Sequence, residues 1–454
     1  MQPYGYRAAL VGAVLVGFVP LPAYAQHEGH EAAPSALPHR MWSAQLGAGW
    51  RLLGMAQAFP VVTISAPGEA GPLRETGWYI SQPAIMANLE SPGSRVTFRT
   101  TLNFEGLTQE HGELTSGGWG EGFIDSRHPH TLLHEAMVSV NGWTVLGGHA
   151  SLSAGKGFAP YGTDDPMARP GLKYPTNHHL SQILERWTVN GVFARSGWSV
   201  EAGLFGGNEP DSPWDFSNIE SFANSWSARL ARRWGAGDGP MAAWEASASF
   251  GNVTEEHDAE SQTTRLWNVA LRHDGTVGSR RLQALVEYSR SSPERHDGYF
   301  SLLGEAQLTS GNHKPYVRIE YATRPEYVRE GSAGSDEFFR YDHDAEPIGV
   351  TRWFIGTFGW GVSATRGAVS LRPFAEAQLN RVSLHEGPAA LEPAVLFGTD
   401  AFWNVSLGLR VFFGGDPMRM GAYGVLDPMT AVNRSMAPMP MEQQHDAGRP
   451  EALP

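Results

Sequence analysis

Asp125-Ser-Arg-His-Pro-His130 is followed closely by His134-Glu135, which brings three imidazoles and two carboxylates into one short stretch. Further along, Asp164-Asp165 precedes Asn177-His178-His179. Neutral imidazole nitrogen mixed with carboxylate oxygen is the donor set that Zn(II), Cu(II) and Ni(II) favour. The candidate ligands are His128, His130, His178 and His179, with Asp125 or Asp165 orienting a ring or completing the site. The competing reading is that these groups hydrogen-bond to backbone and fold their own loops. A softer donor set lies in Met436-Ala-Pro-Met-Pro-Met441, whose thioethers suit Cu(I), against the plainer reading of a flexible Pro-rich tail. No Gly-x-Ser-x-Gly elbow, His-Glu-x-x-His or phosphate-binding loop is present, and Gly155-Lys-Gly157 is only a fragment of the last. A hydrolase would have His134 as its one plausible base.

The elements that must position these residues read as strands. In Phe402–Phe413, Trp403, Val405, Leu407, Leu409, Val411 and Phe413 take one face, and Asn404, Ser406, Gly408 and Arg410 the other. Period-two alternation means a strand with one greasy and one wet face. The same alternation runs through Val96–Phe104, Leu282–Tyr288, Phe300–Leu308, Val317–Tyr321 and Val369–Leu379. About sixteen such segments lie between Trp50 and Phe413. Short Gly-containing connections are expected at Glu90–Ser94, Asn141-Gly142, Arg195–Gly197, Gly235–Pro240, Asp274–Ser279, Ser310–Asn312 and Thr365–Gly367. Long connections alternate with them, among them Gly106–His130, Gly155–Leu180 and Val253–Ser261, and a strand is expected from Ile183 onward.

Short turns at one end and long loops at the other describe an all-β, transmembrane antiparallel barrel with periplasmic turns and extracellular loops. Its inward face would carry Arg95, Arg99, Arg186, Arg229, Arg281, Arg318, Arg372 and Arg410. The matching acids are Glu105, Glu135, Glu201, Glu245, Glu287, Glu305, Glu320 and Glu376. About sixteen strands enclose a water-filled lumen. Balanced signs argue against strong ion selectivity and leave two readings open, a polar channel or a ladder of ion pairs that plugs it.

Met1–Ala25 reads as a cleavable export signal: Arg7, an apolar run to Phe18, then Ala23-Tyr-Ala25. Residues 26–40 form a polar leader, 41–413 the barrel and 414–454 a Met/Pro-rich periplasmic tail. The 454-residue chain has no cysteine, which excludes disulfides and thiolate metal sites. Mean hydropathy of −0.30 is too polar for a helical membrane protein but ordinary for a barrel, in which only alternate residues meet lipid. Net charge of −13 argues against a nucleic-acid partner.

Ser406–Phe413 also resembles the signal by which bacterial outer-membrane barrels present their last strand to the assembly machinery, with Gly408, Val411 and Phe413 at its key positions. Arg127-His-Pro-His130, Asn208-Glu-Pro-Asp211 with Trp214-Asp-Phe216, and Arg419–Pro428 together resemble an uncharacterised family of bacterial outer-membrane barrels, over Met41 to Met429. A looser similarity is to the copper resistance B outer-membrane proteins. This chain departs from their Met/His-rich leader, with only His27, His30, His39 and Met41, and carries Met436, Met439, Met441 and His445 in its tail. The resemblance implies partners in outer-membrane lipid and the assembly machinery, and small polar solutes or metal ions, copper or another divalent ion, as cargo or ligand. The alternatives are a membrane-embedded hydrolase and a soluble periplasmic all-β binding protein.

Overall fold

The computed structural model describes residues 42–66, 76–108, 130–163, 165–172, 174–176, 178–210, 213–216, 219, 221–237, 239–257, 260–294, 298–326, 329–330, 340–341, 347–396, 398–415 and 419–431. The expected export signal and leader, Asp125, His128 and the Met436–His445 stretch lie outside these residues.

One closed sheet of eighteen strands forms the body of the protein, sixteen of them long. The long strands are β1 Arg51–Ala66, β2 Thr76–Glu90, β3 Val96–Asn103, β4 Leu133–Val145, β5 Gly148–Gly157, β6 Arg186–Arg195, β7 Trp198–Phe205 and β8 Ser225–Trp234. The second half continues with β9 Trp244–His257, β10 Glu260–Val277, β11 Arg280–Pro293, β12 Tyr299–Thr309, β13 His313–Glu326, β14 Gly349–Val362, β15 Val369–Glu386 and β16 Ala401–Phe413. Each pairs antiparallel with its neighbours, and β1 closes the ring by pairing with both β2 and β16, for example Thr63 with Ser406. Two short strands, Trp42–Gln45 on β1 and Ala364–Arg366 on β15, complete the sheet.

Burial alternates residue by residue along the strands, and the polarity is inverted relative to a soluble barrel. On β15, Arg372, Glu376, Gln378 and Asn380 are buried while Leu371 and Leu379 are exposed. The outer wall carries exposed Val200, Leu230, Val269, Val286 and Leu407. Trp143, Trp198, Trp234 and Trp360 ring it near the short turns, and Trp78, Trp226 and Trp403 near the long loops. Apolar surface turned outward between two aromatic girdles is stable only against lipid. No helix among the described residues is long and apolar enough to cross a membrane; the strands do the crossing.

The turns differ from expectation in several places, and the expected turn at Asp274–Ser279 shrinks to Gly278-Ser279 because β10 and β11 stay paired out to Val277 and Arg280. Asn141-Gly142 lies inside β4 as a bulge, with the register shifting between Asn141 and Trp143 and Gly142 at φ 99°. The hairpin turns instead at Leu146-Gly147, whose φ values of 49° and 72° match the twist of the flanking strands. The expected loop at Val253–Ser261 is largely strand, since β9 and β10 stay paired out to His257 and Glu260. Strand β6 begins at Arg186 rather than Ile183, because Ile183–Glu185 belong to a segment that enters the barrel.

Candidate functional site

The sequence places acids and bases on the inward face; the structure fills the space between them. Glu135 pairs with Arg99 at 3.0 Å, Glu201 with Arg229 at 2.6 Å, Glu305 with Arg318 at 2.9 Å, and all are buried. A water-filled lumen would leave these groups wet. Here two chain segments cover them.

The first segment is 158–185, between β5 and β6. Arg169 reaches Glu287 at 3.1 Å, the Leu172 backbone N–H donates to Glu376 at 2.8 Å, and the Thr176 N–H donates to Glu320 at 2.8 Å. Tyr174 donates to Glu105 at 2.8 Å, and Arg410 donates to the Pro170 carbonyl at 2.7 Å. The wall glutamates thus serve as acceptors for backbone that would otherwise lie buried without partners. Gly162 has φ 64°, and a Cβ there would lie 1.7 Å from the Ser181 carbonyl, so only glycine allows the segment to fold back on itself.

The second segment is 419–431, beyond the last strand. Arg419 pairs with Glu245 at 2.6 Å, and Asp427 pairs with Arg99 at 3.2 Å. The Phe158 N–H donates to the Tyr423 hydroxyl at 3.0 Å, and the Val425 N–H donates to Ser151 at 3.1 Å. Met420, Tyr423 and Met429 pack with Leu53, Met55, Met86 and Met137 from the wall and Met167 and Leu184 from the first segment. The inner wall is therefore apolar in part. Residues 414–454 are thus not wholly a free tail: 419–431 belong to the barrel interior. Burial raises the Asp427 carboxyl to about 6, with Arg99 offsetting only part of that cost.

The third feature is a buried histidine pair. His134 would face outward if β4 alternated strictly. Thr101 pairs with Glu135 and Leu102 with Leu133, so His134 is the extra residue of a bulge. Both His134 and Glu135 are consequently buried. His134 Nδ1 lies 2.7 Å from Glu185 Oε1, and His130 Nδ1 lies 3.6 Å from the same oxygen. The far nitrogens face two further carboxylates, His134 Nε2 at 3.7 Å from Asp165 and His130 Nε2 at 3.8 Å from Glu105. The rings meet edge to face, 5.1 Å between centroids, with Phe158 and Tyr174 against them. Glu185 holds φ 58°, a left-handed conformation costly for a side-chain-bearing residue and kept where the surroundings dictate it. Burial disfavours charge on His130, but the neighbouring Glu185 and Glu105 carboxylates outweigh it and raise its pKa. The same contacts hold Glu185 well below the usual carboxylate range and lower Asp165, against the effect of burial.

Of the expected inward residues, Arg99, Glu135, Arg186, Arg229, Glu201, Glu245, Glu287, Glu305, Arg318, Glu320, Arg372, Glu376 and Arg410 are buried in the interior. Glu105 is too, from a single helical turn after β3 rather than from a strand. Arg95 is not: it sits exposed after the Pro92–Ser94 turn, where the chain has not yet entered the sheet. Arg281 has the inward register but lies at the short-turn mouth, 49% exposed and paired with Asp274. Gly408 faces the Phe374 ring, which would lie 2.9 Å from an added Cβ, so this position of the closing strand also serves packing. Of the six expected metal ligands, His130 and Asp165 each lie against His134. The backbone of His178 and His179 begins a short 3-10 turn, and their side chains lie outside the described residues. Sequence reasoning misses Glu185, because nothing in its neighbourhood along the chain marks it.

No family model and no curated protein matches the sequence. Among solved structures, the fold is similar to OmpT, an outer-membrane protein of Vibrio cholerae, in its trimer form, at TM-score 0.47 and 10% identity over 80% of this chain and 99% of that one. It is also similar to an anion-selective porin from Comamonas acidovorans, at TM-score 0.45 and 10% identity over 82% and 100% of the two chains. Pseudomonas putida OprB gives 0.45 and 11% over 80% and 94%. The fold is a closed antiparallel β-barrel of sixteen long strands. Nothing in the comparisons supports the similarity to copper resistance B proteins.

Proposed function

We propose that the protein is a porin-type barrel of the outer membrane, its short turns and both chain ends periplasmic, for small polar solutes or ions. Passage is gated by segments 158–185 and 419–431. The observation that carries this is the use of wall charges as docking points: Glu105, Glu287, Glu320, Glu376 and Arg410 hold the first segment, Arg99 and Glu245 the second. A sixteen-stranded wall without such fillers encloses an aqueous channel. Charged docking points stay solvated when the filler leaves, which lowers the cost of opening against the apolar packing of Met420, Tyr423 and Met429. A hydrolase would need His134 within reach of a substrate, whereas its ring is fully buried, with Nδ1 engaged by Glu185 and Nε2 turned to Asp165.

Single-channel recording tests this reading. The full chain should show low conductance, and a chain ending at Gly415 several-fold more, with Glu245→Gln intermediate. Equal, porin-like conductance for all three would overturn it.

A further inference from the structure

The geometry points to a divalent transition-metal site of the zinc class, with His130 Nδ1, His134 Nδ1 and Glu185 as its ligands. The reading is independent of whether the lumen conducts. The three side chains offer ligand atoms that lie within 4.8 Å of one another, all buried. A tetrahedral ion with bonds of about 2.1 Å needs its ligands about 3.4 Å apart. The 3.6 Å separation of His130 from Glu185 already fits, and the 2.7 Å contact of His134 needs to open by a fraction of an ångström. Two imidazoles with one carboxylate leave a fourth position for water, a donor set common for zinc.

The surroundings carry the argument further. In metal centres a ligating histidine usually turns its other nitrogen to a carboxylate, which fixes the ring and makes it a better donor. Both histidines do so here, toward Asp165 and Glu105. Glu105 is itself held by the Gln82 N–H, the Asn103 amide and Tyr174. The charge pattern also differs from that of the neighbouring wall. Glu135, Glu201, Glu287 and Glu305 each face an arginine, whereas Glu105, Asp165 and Glu185 pair with these two histidines. Two neutral imidazoles with one divalent ion carry the same charge as two imidazoliums. The ion therefore balances the three acids equally well and binds deprotonated rings. Bound there, it ties β4 to both Asp165 and Glu185 of the inserted segment, and so fastens that segment to the wall.

Cobalt(II) added to the metal-stripped, refolded full chain reports on the site directly. One ion per chain should give the strong visible bands of a low-coordinate nitrogen–oxygen site, and zinc(II) should displace them. The leader and tail histidines should contribute only the faint absorption of solvated cobalt. His130→Ala/His134→Ala should abolish the bands, Asp165→Asn should weaken affinity roughly 10–100-fold with the bands retained, and His178→Ala should change nothing. Folding is checked by heat-modifiable migration. Where the double variant fails to fold, Glu185→Gln serves with the same readout. Absence of bands in the wild type, or bands that survive in a folded His130→Ala/His134→Ala or Glu185→Gln barrel, would overturn the site.

Discussion

At the residue scale, the chemistry depends on irregularities that strict alternation hides. The imidazole–carboxylate mixture around His130 is legible in the sequence, and so is Asp165. The partnership of His134 with Glu185 is not, because it rests on one extra residue in β4 and on a loop glutamate 51 positions away. Asp427 lies in the same blind spot: a tail residue reads as solvated until Arg99 is found beside it. Its titration gives a prediction. The groups facing it are Arg99, Glu135 and Glu90, with Asn88 donating to it at 3.4 Å. Docking raises its carboxyl from 3.8 to about 6, so the docked state binds the proton more tightly. Above pH 6 the docked tail bears the cost of a buried carboxylate. As pH falls from 6 toward 4 docking tightens, by roughly thirtyfold across that window. Tryptic cleavage after Arg419, measured relative to a free peptide of the same sequence, should slow over the same range in the wild type and stay flat in Asp427→Asn. Cleavage that accelerates on acidification would contradict the assignment.

At the element scale, the strands are the most legible part of the chain. Sixteen alternating runs disclose the barrel and the faces of β3, β11, β13, β15 and β16, since lipid outside and charge inside impose opposite demands on neighbouring residues. The interior is less so: Leu53, Met55, Phe59, Met86 and Phe412 face inward, and an apolar inward residue makes sense only beside a filler that the alternation does not reveal. Val269 and Asn268 on β10 separate the two faces, one 57% exposed and the other buried. Val269→Arg should block insertion, at a cost of roughly 2–4 kcal/mol near the bilayer centre, whereas Asn268→Ser should assemble normally. Phe413→Asp should also stop assembly, by spoiling the apolar end of the closing strand. Heat-modifiable migration of membrane fractions checks all three, and normal assembly of Val269→Arg would mean that the faces are reversed.

At the scale of the whole molecule, the interior decides what the barrel does. The sequence offers an open channel and a plugged one on equal terms because arginines and glutamates serve both. Arg99 and Glu245 belong to the second case, since each completes its pairing with a residue beyond the last strand. Because the chain has no cysteine, a single engineered pair can report on that closure without background. Ser151→Cys with Val425→Cys joins the tail to β5 where the Val425 N–H meets the Ser151 hydroxyl at 3.1 Å. The oxidised double variant should form the disulfide in the folded barrel and hold conductance at or below the low level of the full chain, with brief openings returning on reduction. Failure of the pair to cross-link in the folded barrel, or a full porin-like current through the cross-linked protein, would contradict the filled lumen.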